Sequence, residues 1–126
     1  MTRVLICDDD IMIGEALHDV LTAESDLAVV AIAHTASDAI DLAERHLPDI
    51  VVLDVRMPGG GGIRVARELR DRCPTTRVVA FSAYADPATV AEMRRAGVTE
   101  YLVKGVPNTD IVATVRRLAR GPFGKL

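Results

Sequence analysis

Residues 4–10 read Val-Leu-Ile-Cys-Asp-Asp-Asp, and residues 50–54 read Ile-Val-Val-Leu-Asp. Each stretch begins as a short apolar run without polar alternation, which is typical of a parallel strand covered on both faces. Each run ends in aspartate, and open α/β sheets place their ligands at the carboxyl ends of the strands. If the two strands are neighbours, Asp8, Asp9 and Asp54 converge. Carboxylates held close together repel one another unless a cation lies between them, so the pattern predicts a Mg²⁺ site suited to phosphoryl chemistry.

Three more apolar runs follow the same pattern, at residues 27–33, 77–81 and 101–103. The segments between and after the five runs place apolar residues three or four positions apart, which is the spacing of one helix face. Strands that alternate with such helices form a parallel sheet with helices on both sides. The sequence therefore predicts an α/β fold of five βα units.

Capping residues mark the ends of two helices. Asp86-Pro87 predicts a helix that begins with an N-cap aspartate and a proline at its first position, and Gly97 predicts the left-handed residue that ends it. Asp10 precedes the first helical pattern, so we expect it to cap that helix instead of binding metal.

The length of 126 residues fits a single domain. Near the end of the chain, residues 121–124 read Gly-Pro-Phe-Gly, which is typical of a chain leaving its domain. The sequence predicts a domain over residues 1–120 and the start of a linker or a tail over residues 121–126.

Membrane and secretory signals are not found in the sequence. No apolar run approaches the roughly 18 residues needed to span a bilayer, and aspartates interrupt the N-terminal apolar stretch too early for a signal peptide. Cys7 and Cys73 lack the usual spacing of a disulfide framework or metal pair and fit a reducing compartment. We expect a cytoplasmic protein that does not contact membranes.

The net charge of −3 hides an asymmetry between the two parts of the chain. Residues 1–50 carry 11 acidic and 2 basic side chains, whereas residues 51–126 carry 7 acidic and 13 basic ones. Most of the arginines fall on predicted helices, where solvated helix faces explain them. The negative net charge argues against nucleic-acid binding by this chain, because such domains are usually strongly basic.

Four motifs together resemble, in order and spacing, the receiver domain of two-component response regulators. They are Leu5 to Asp10, Val52 to Pro58, Ala80 to Ala83 and Tyr101 to Lys104. The resemblance covers essentially the whole chain. It implies a flavodoxin-like, doubly wound fold with a five-stranded parallel sheet in the order 2-1-3-4-5.

The resemblance also implies a role for each acidic residue. Asp54 matches the phosphoryl acceptor, whose carboxylate attacks the phosphohistidine of a sensor histidine kinase. Asp8 and Asp9 match the acidic pair that holds Mg²⁺ together with Asp54. Asp9 and Asp54 are expected to touch the ion directly, Asp8 through water, and the main-chain carbonyl of Arg56 supplies a further ligand.

Ser82 and Lys104 match the residues that hold the remaining phosphoryl oxygens, the first as a hydroxyl donor and the second as a positive charge. Ser82 and Tyr101 match the pair that moves when such domains switch. The resemblance therefore implies a signalling switch that catalyses its own phosphotransfer and dephosphorylation.

Arg56 and Tyr84 lie two positions beyond Asp54 and Ser82, where they flank the path of an attacking water. We expect a long and a bulky side chain at these positions to shield the acyl phosphate and prolong its lifetime. We also expect Asp54 to be an exposed carboxylate whose removal leaves the core intact.

Gly105 stands where many receivers have proline, so we expect a trans peptide after Lys104. This turn is similar to the subgroup whose output is a helix-turn-helix DNA-binding domain. All five helices are needed to cover the sheet, so we expect no DNA binding by this chain itself. The implied partners are the kinase, a second copy bound on phosphorylation, and an output domain or partner protein.

Two other functions remain open from the residues. A phosphatase of the haloacid dehalogenase type would use Asp8 as nucleophile and Asp10 as acid/base, but would leave Asp54 without a task. A binding module that signals without phosphorylation would need none of these groups, and such modules usually lose an active-site residue.

Overall fold

Strands and helices alternate throughout residues 1–120, the part of the chain that this computed structural model describes. The linker or tail predicted at residues 121–126 lies outside the described residues. The elements, in chain order, are β1 (Thr2–Cys7), α1 (Ile11–Thr22), β2 (Leu27–Ala33), α2 (Ala36–His46), β3 (Ile50–Leu53), α3 (Gly61–Arg72), β4 (Arg77–Ser82), α4 (Pro87–Arg95), β5 (Glu100–Val103) and α5 (Asn108–Arg120).

The five strands form one parallel sheet in the order β2-β1-β3-β4-β5, which confirms the predicted topology. β1 lies between β2 and β3, with Cys7 opposite Leu53. On the other side of β3, the last residue of β4, Ser82, lies opposite Val103 of β5. The residues that follow β1, β3 and β5 therefore share the carboxyl edge of the sheet with the end of β4.

The sheet separates two hydrophobic layers. Val4, Ile6 and the other residues of the same pleat face α1 and α5. Leu5, Cys7 and Leu53 face the opposite layer, which is covered by α2, α3 and α4. Both faces of the central strands are buried, which is why these strands read as continuous apolar runs in the sequence.

The helix ends agree with their predicted caps. Asp10 accepts hydrogen bonds from the main-chain N–H groups of Met12 and Ile13 at 2.9 and 3.2 Å. Asp86 accepts one from the N–H of Thr89 at 3.1 Å, ahead of Pro87. Gly97 has the expected positive φ of 100°.

Two smaller expectations are also confirmed. Cys7 and Cys73 are both free and buried. No peptide bond within residues 1–120 is cis, so Lys104 and Gly105 are joined by a trans bond. Within the same residues, no helix is long and apolar enough to cross a membrane.

The helices differ in how firmly they are packed. α5 buries five residues, whereas Met93 is the only buried residue within α4. An element with few buried apolar contacts opens and shifts at lower free-energy cost than the rest of a fold. Of α4 and α5, the two helices on either side of β5 in the chain, α4 is therefore the easier to displace.

Gly62 permits a close approach between α3 and the end of β3. A Cβ atom at this position would lie 2.5 Å from the main-chain oxygen of Asp54 and 2.9 Å from Cα of Val55. Both contacts are with backbone, which cannot move aside without displacing Asp54. The first turn of α3 is thus packed directly against the main chain of a predicted site residue.

We predict that Gly62→Ala lowers the free energy of unfolding by about 1–3 kcal/mol, the usual cost of overpacking. Gly14→Ala is the matched control in α1, because its Cβ would meet only side-chain atoms, of Ile32 at 3.2 Å and of His34 at 4.0 Å. That change should stay within about 1 kcal/mol of the wild type, since alanine favours the helix. Urea unfolding measures both, and equal effects of the two substitutions would contradict the close-approach argument.

Candidate functional site

Three carboxylates meet at the carboxyl edge of the sheet. One ligand oxygen from each of Asp8, Asp9 and Asp54 lies within 4.8 Å of the other two. The pairing of β1 with β3 brings them together, and the N–H of Asp54 donates to the carbonyl of Cys7 at 2.8 Å. The predicted convergence of these residues is therefore a feature of the fold.

Asp54 is not the exposed carboxylate that we expected from its position at a strand end. Only 5% of its surface is exposed, and Asp8 is 1% exposed, whereas Asp9 faces solvent. The loops that follow β1 and β3 supply backbone donors to the two buried carboxylates. In these loops the N–H of Asp10 donates to Asp8 at 2.9 Å, and the N–H of Arg56 lies 3.4 Å from Oδ1 of Asp54.

Lys104 reaches across the sheet edge from the end of β5. Its Nζ lies 3.0 Å from Oδ2 of Asp8 and 3.4 Å from Oδ2 of Asp54. Burial by itself would lower the pKa of Lys104, but the two carboxylates outweigh burial and raise it. Lys104 is therefore a fixed positive charge between the two buried aspartates.

The pKa of Asp54 is raised to about 6, first by burial and second by the charge of Asp8. The contacts with Lys104 and with the N–H of Arg56 lower it but do not compensate. One lysine thus does not balance two buried carboxylates, and the site retains an excess of negative charge above about pH 6.

These residues fit a Mg²⁺ ion. Oδ2 of Asp8 is buried and, among the described residues, accepts no hydrogen bond of good geometry, although the charge of Lys104 is near it. Carboxylate oxygens with unused lone pairs, close to an exposed third carboxylate, are the ligands that this hard cation prefers. The predicted role of the Arg56 carbonyl remains a prediction.

Ser82 ends β4 beside this cluster and is fully buried. Its Oγ accepts a hydrogen bond from the N–H of Tyr84 at 3.1 Å, and its carbonyl accepts one from the N–H of Lys104 at 2.9 Å. Because Oγ is the acceptor in the contact with Tyr84, the hydroxyl proton of Ser82 is not used in that hydrogen bond.

The side chains of Arg56, Tyr84 and Tyr101 form a connected group at the outer side of the site. The guanidinium carbon of Arg56 lies 3.7 Å from the centroid of the Tyr84 ring. The hydroxyl of Tyr101 donates to the main-chain carbonyl of Tyr84. Sequence spacing placed each residue near the site but could not show that the three touch, because the contacts depend on side-chain rotamers.

His34 was assigned no chemistry from the sequence, yet it contacts the site. Its Nδ1 lies 2.8 Å from the main-chain carbonyl of Asp8. A carbonyl only accepts, so Nδ1 must carry the proton for this contact to be a hydrogen bond. No motif surrounds His34, and only the pairing of β1 with β2 could have revealed the contact.

The phosphatase hypothesis fits this arrangement poorly. It requires Asp10 as acid/base, but the carboxylate of Asp10 is occupied as the N-cap of α1. It also leaves unexplained why Lys104 approaches Asp54 as well as Asp8.

Comparison with known proteins identifies the family. Residues 4–116 match the response regulator receiver domain. The chain is 31% identical over 121 residues to the transcriptional regulatory protein DesR of Bacillus subtilis, covering 96% of this chain and 60% of DesR. It is also 31% identical over 121 residues to the DNA-binding transcriptional activator DevR/DosR of Mycobacterium tuberculosis, covering 96% of this chain and 56% of that protein. The chain thus spans little more than half the length of these relatives.

A solved structure agrees in both fold and sequence. The signal receiver domain of the putative response regulator NarL from Mycobacterium tuberculosis superimposes with a TM-score of 0.92 at 35% identity. The match covers 95% of this chain and 97% of that domain.

We predict that Asp54→Asn stabilises the metal-free protein near neutral pH. Folding raises the pKa of Asp54 from 3.8 to about 6, so the folded state binds this proton more tightly. The stability that the group contributes is complete below about pH 4 and is lost as the pH rises through about 6. The asparagine variant avoids that loss, which amounts to about 1–3 kcal/mol.

The measurement is urea unfolding of the wild type and of Asp54→Asn, in buffer that contains a metal chelator, at pH values from below about 4 to above about 6. The difference in the free energy of unfolding should grow between about pH 4 and 6 and then level off. Asp19→Asn on the exposed side of α1 is the control and should give no comparable gain. A difference that shrinks as the pH rises would show that the charged form of Asp54 is favoured in the fold.

Proposed function

Because this chain belongs to the response regulator receiver family, we propose that it accepts a phosphoryl group on Asp54 from the phosphohistidine of a sensor histidine kinase. The modified domain then changes a surface that a partner or an output domain binds. The observation that carries this proposal is the approach of Lys104 to Asp54, at 3.4 Å, beside the cluster of Asp8 and Asp9.

The transfer needs a nucleophile that is ionised and oriented. An oxygen of the Asp54 carboxylate attacks phosphorus, the phosphorus–nitrogen bond breaks, and its electron pair goes to the imidazole nitrogen of the kinase, which takes up a proton. Hydrolysis reverses the change when water attacks phosphorus, because the bond to Asp54 breaks and phosphate leaves. The loose transition state of phosphoryl transfer needs charge stabilisation more than bond-making groups, and Lys104 supplies positive charge at that position.

When bound, Mg²⁺ supplies further positive charge that offsets the carboxylates and the incoming phosphoryl oxygens. Asp9 and Asp54 would hold it directly, Asp8 through water, and Arg56 through its main-chain carbonyl. The raised pKa of Asp54, caused first by burial and second by the charge of Asp8, supports this assignment, because a bound cation would stabilise the ionised carboxylate. Asp10 stays with its helix cap.

We propose Ser82 and Tyr101 as the switch residues. A phosphoryl group on Asp54 offers the Ser82 hydroxyl proton a charged acceptor, and a shift of the hydroxyl toward that acceptor would lengthen the 3.1 Å contact in which Oγ accepts from the N–H of Tyr84. Release of that N–H loosens the loop that leads into α4, the weakly packed helix. The face formed by α4, β5 and α5 is then the surface that changes.

The proposed site of action is the cytoplasm, where the cysteines stay reduced. We propose that the output is a second copy of the domain, or an output domain of the kind that a DNA-binding relative such as DevR/DosR carries beyond the matched region. The described domain has no helix left over for DNA, and the chain has a net charge of −3. Nucleic-acid contacts are therefore assigned to the output and not to this domain.

We predict that Asp54→Asn and Asp54→Ala abolish phosphorylation by a histidine kinase or by a small phosphodonor such as acetyl phosphate, because Asp54, directly after β3 and 3.4 Å from Lys104, is the residue that matches the acceptor of the family. Mass spectrometry of the wild type should locate the added group on Asp54. Asp10→Asn is the matched control and should be phosphorylated normally, since asparagine also caps helices. Modification of Asp8 would instead favour the phosphatase hypothesis, and absence of modification with Mg²⁺ present would favour a phosphorylation-independent module.

We predict that Mg²⁺ raises the melting temperature of the protein, because an ion that binds only the folded state adds about 2.7 kcal/mol at a concentration 100 times its Kd. Asp9→Ala should remove most of this gain, whereas Asp19→Ala, which is exposed and outside the cluster, should retain it. Thermal unfolding with and without millimolar Mg²⁺ measures the effect. Equal gains in the two variants would exclude Asp9 as a ligand.

A further inference from the structure

Tyr84 is held from three directions. Its N–H donates to Ser82, its carbonyl accepts a hydrogen bond from Tyr101, and its ring stacks against the guanidinium of Arg56. The three partners belong to the end of β4, to β5 and to the loop after β3. Tyr84, in the β4–α4 loop, thus contacts residues that lie in or just after β3, β4 and β5.

The stack of Arg56 on Tyr84 bridges the loop that follows Asp54 and the loop that follows Ser82. Both stacked side chains are exposed, and Tyr84 retains 46% of its surface in solvent. Asp54, in contrast, is 5% exposed. The stack is therefore an exposed feature that adjoins the site, because the N–H of Arg56 lies 3.4 Å from Oδ1 of Asp54.

The contact with Tyr101 is one of few restraints on the loop that carries Tyr84. Residues 83–86 are all exposed, α4 beyond them buries only Met93, and the loop is otherwise anchored by the hydrogen bonds of Asp86 with Thr89 at the start of α4. A phosphoryl group that draws the Ser82 hydroxyl away removes a second restraint. In the phosphorylated state the hydrogen bond from Tyr101 would then be the main contact that keeps the Tyr84 ring beneath Arg56.

We propose that Tyr101 is a positioning residue for the lifetime of the acyl phosphate. By holding the carbonyl of Tyr84, it keeps the Tyr84 ring stacked on Arg56, and the stack limits the entry of water. The rate of hydrolysis is thereby coupled to the position of Tyr101. This inference rests on the proposed function, because it concerns the phosphoryl group on Asp54.

The coupling also has a consequence for binding partners. A partner that holds Tyr101 in its present position would preserve the stack and slow hydrolysis. A partner that draws Tyr101 outward would shorten the life of the signal that it receives. Tyr101, which we propose as a switch residue, would thus also affect the lifetime of the phosphoryl group.

The test is the first-order decay of the acyl phosphate in Mg²⁺ after removal of the phosphodonor. Tyr101→Phe keeps the ring but loses the hydroxyl, and should accelerate decay by about two- to fivefold, the effect expected when an exposed cation–π contact is lost. Arg56→Ala and Tyr84→Ala should accelerate decay at least as much. Tyr84→Phe is the matched control and should decay at the wild-type rate, because its carbonyl and ring remain.

The double variant Tyr101→Phe/Arg56→Ala distinguishes positioning from a general structural role. If Tyr101 acts through the stack, the double variant decays no faster than Arg56→Ala alone. Multiplying effects, or a wild-type rate in Tyr101→Phe, would overturn the inference and leave the proposed function intact. A wild-type protein that takes up no phosphoryl group, or an Asp54→Asn variant that is labelled normally, would overturn both.

Discussion

Repulsion between the buried carboxylates of Asp8 and Asp54 is the constraint on which the rest of this site depends. Parallel pairing of β1 and β3 forces the two groups together, and burial removes the water that would screen them. Lys104, which follows β5, reaches across the sheet edge to both carboxylates and offsets part of their negative charge. The remaining negative charge is the feature that a divalent cation would neutralise, as the proposed function requires.

The scaffold maintains this unfavourable arrangement through backbone contacts more than through side chains. The N–H of Asp54 is bonded to β1, the N–H of Asp10 is directed at Asp8, and Gly62 brings α3 against the main chain of Asp54. Backbone positions of this kind are fixed by the packing of two apolar layers. The acceptor can therefore change its charge without a change in the central sheet.

Flexibility is concentrated on one side of the molecule. β3 and most of β1 are buried, whereas the β4–α4 loop is exposed and Met93 is the one buried residue of α4. In the proposed switch, a change in the bonding of Ser82 would therefore reach α4 and β5, the side with the fewest buried contacts. The stack of Arg56 on Tyr84 adjoins Ser82 through the N–H of Tyr84, so the proposed control of water entry and the proposed switch share the same contacts.

The sequence by itself determined the five βα units, the caps at Asp10 and Asp86 and the left-handed Gly97, because apolar periodicity and turn chemistry are local properties. The strand order followed from the family resemblance, and the meeting of the acidic residues at one sheet edge depends on that order. Only the tertiary structure decided that Asp54 is buried with a raised pKa, because burial depends on the elements packed around the residue and not on its neighbours in the chain. The contact of His34 with Asp8 and the group formed by Arg56, Tyr84 and Tyr101 were likewise decided by strand pairing and rotamers, which bring together residues that no sequence spacing connects.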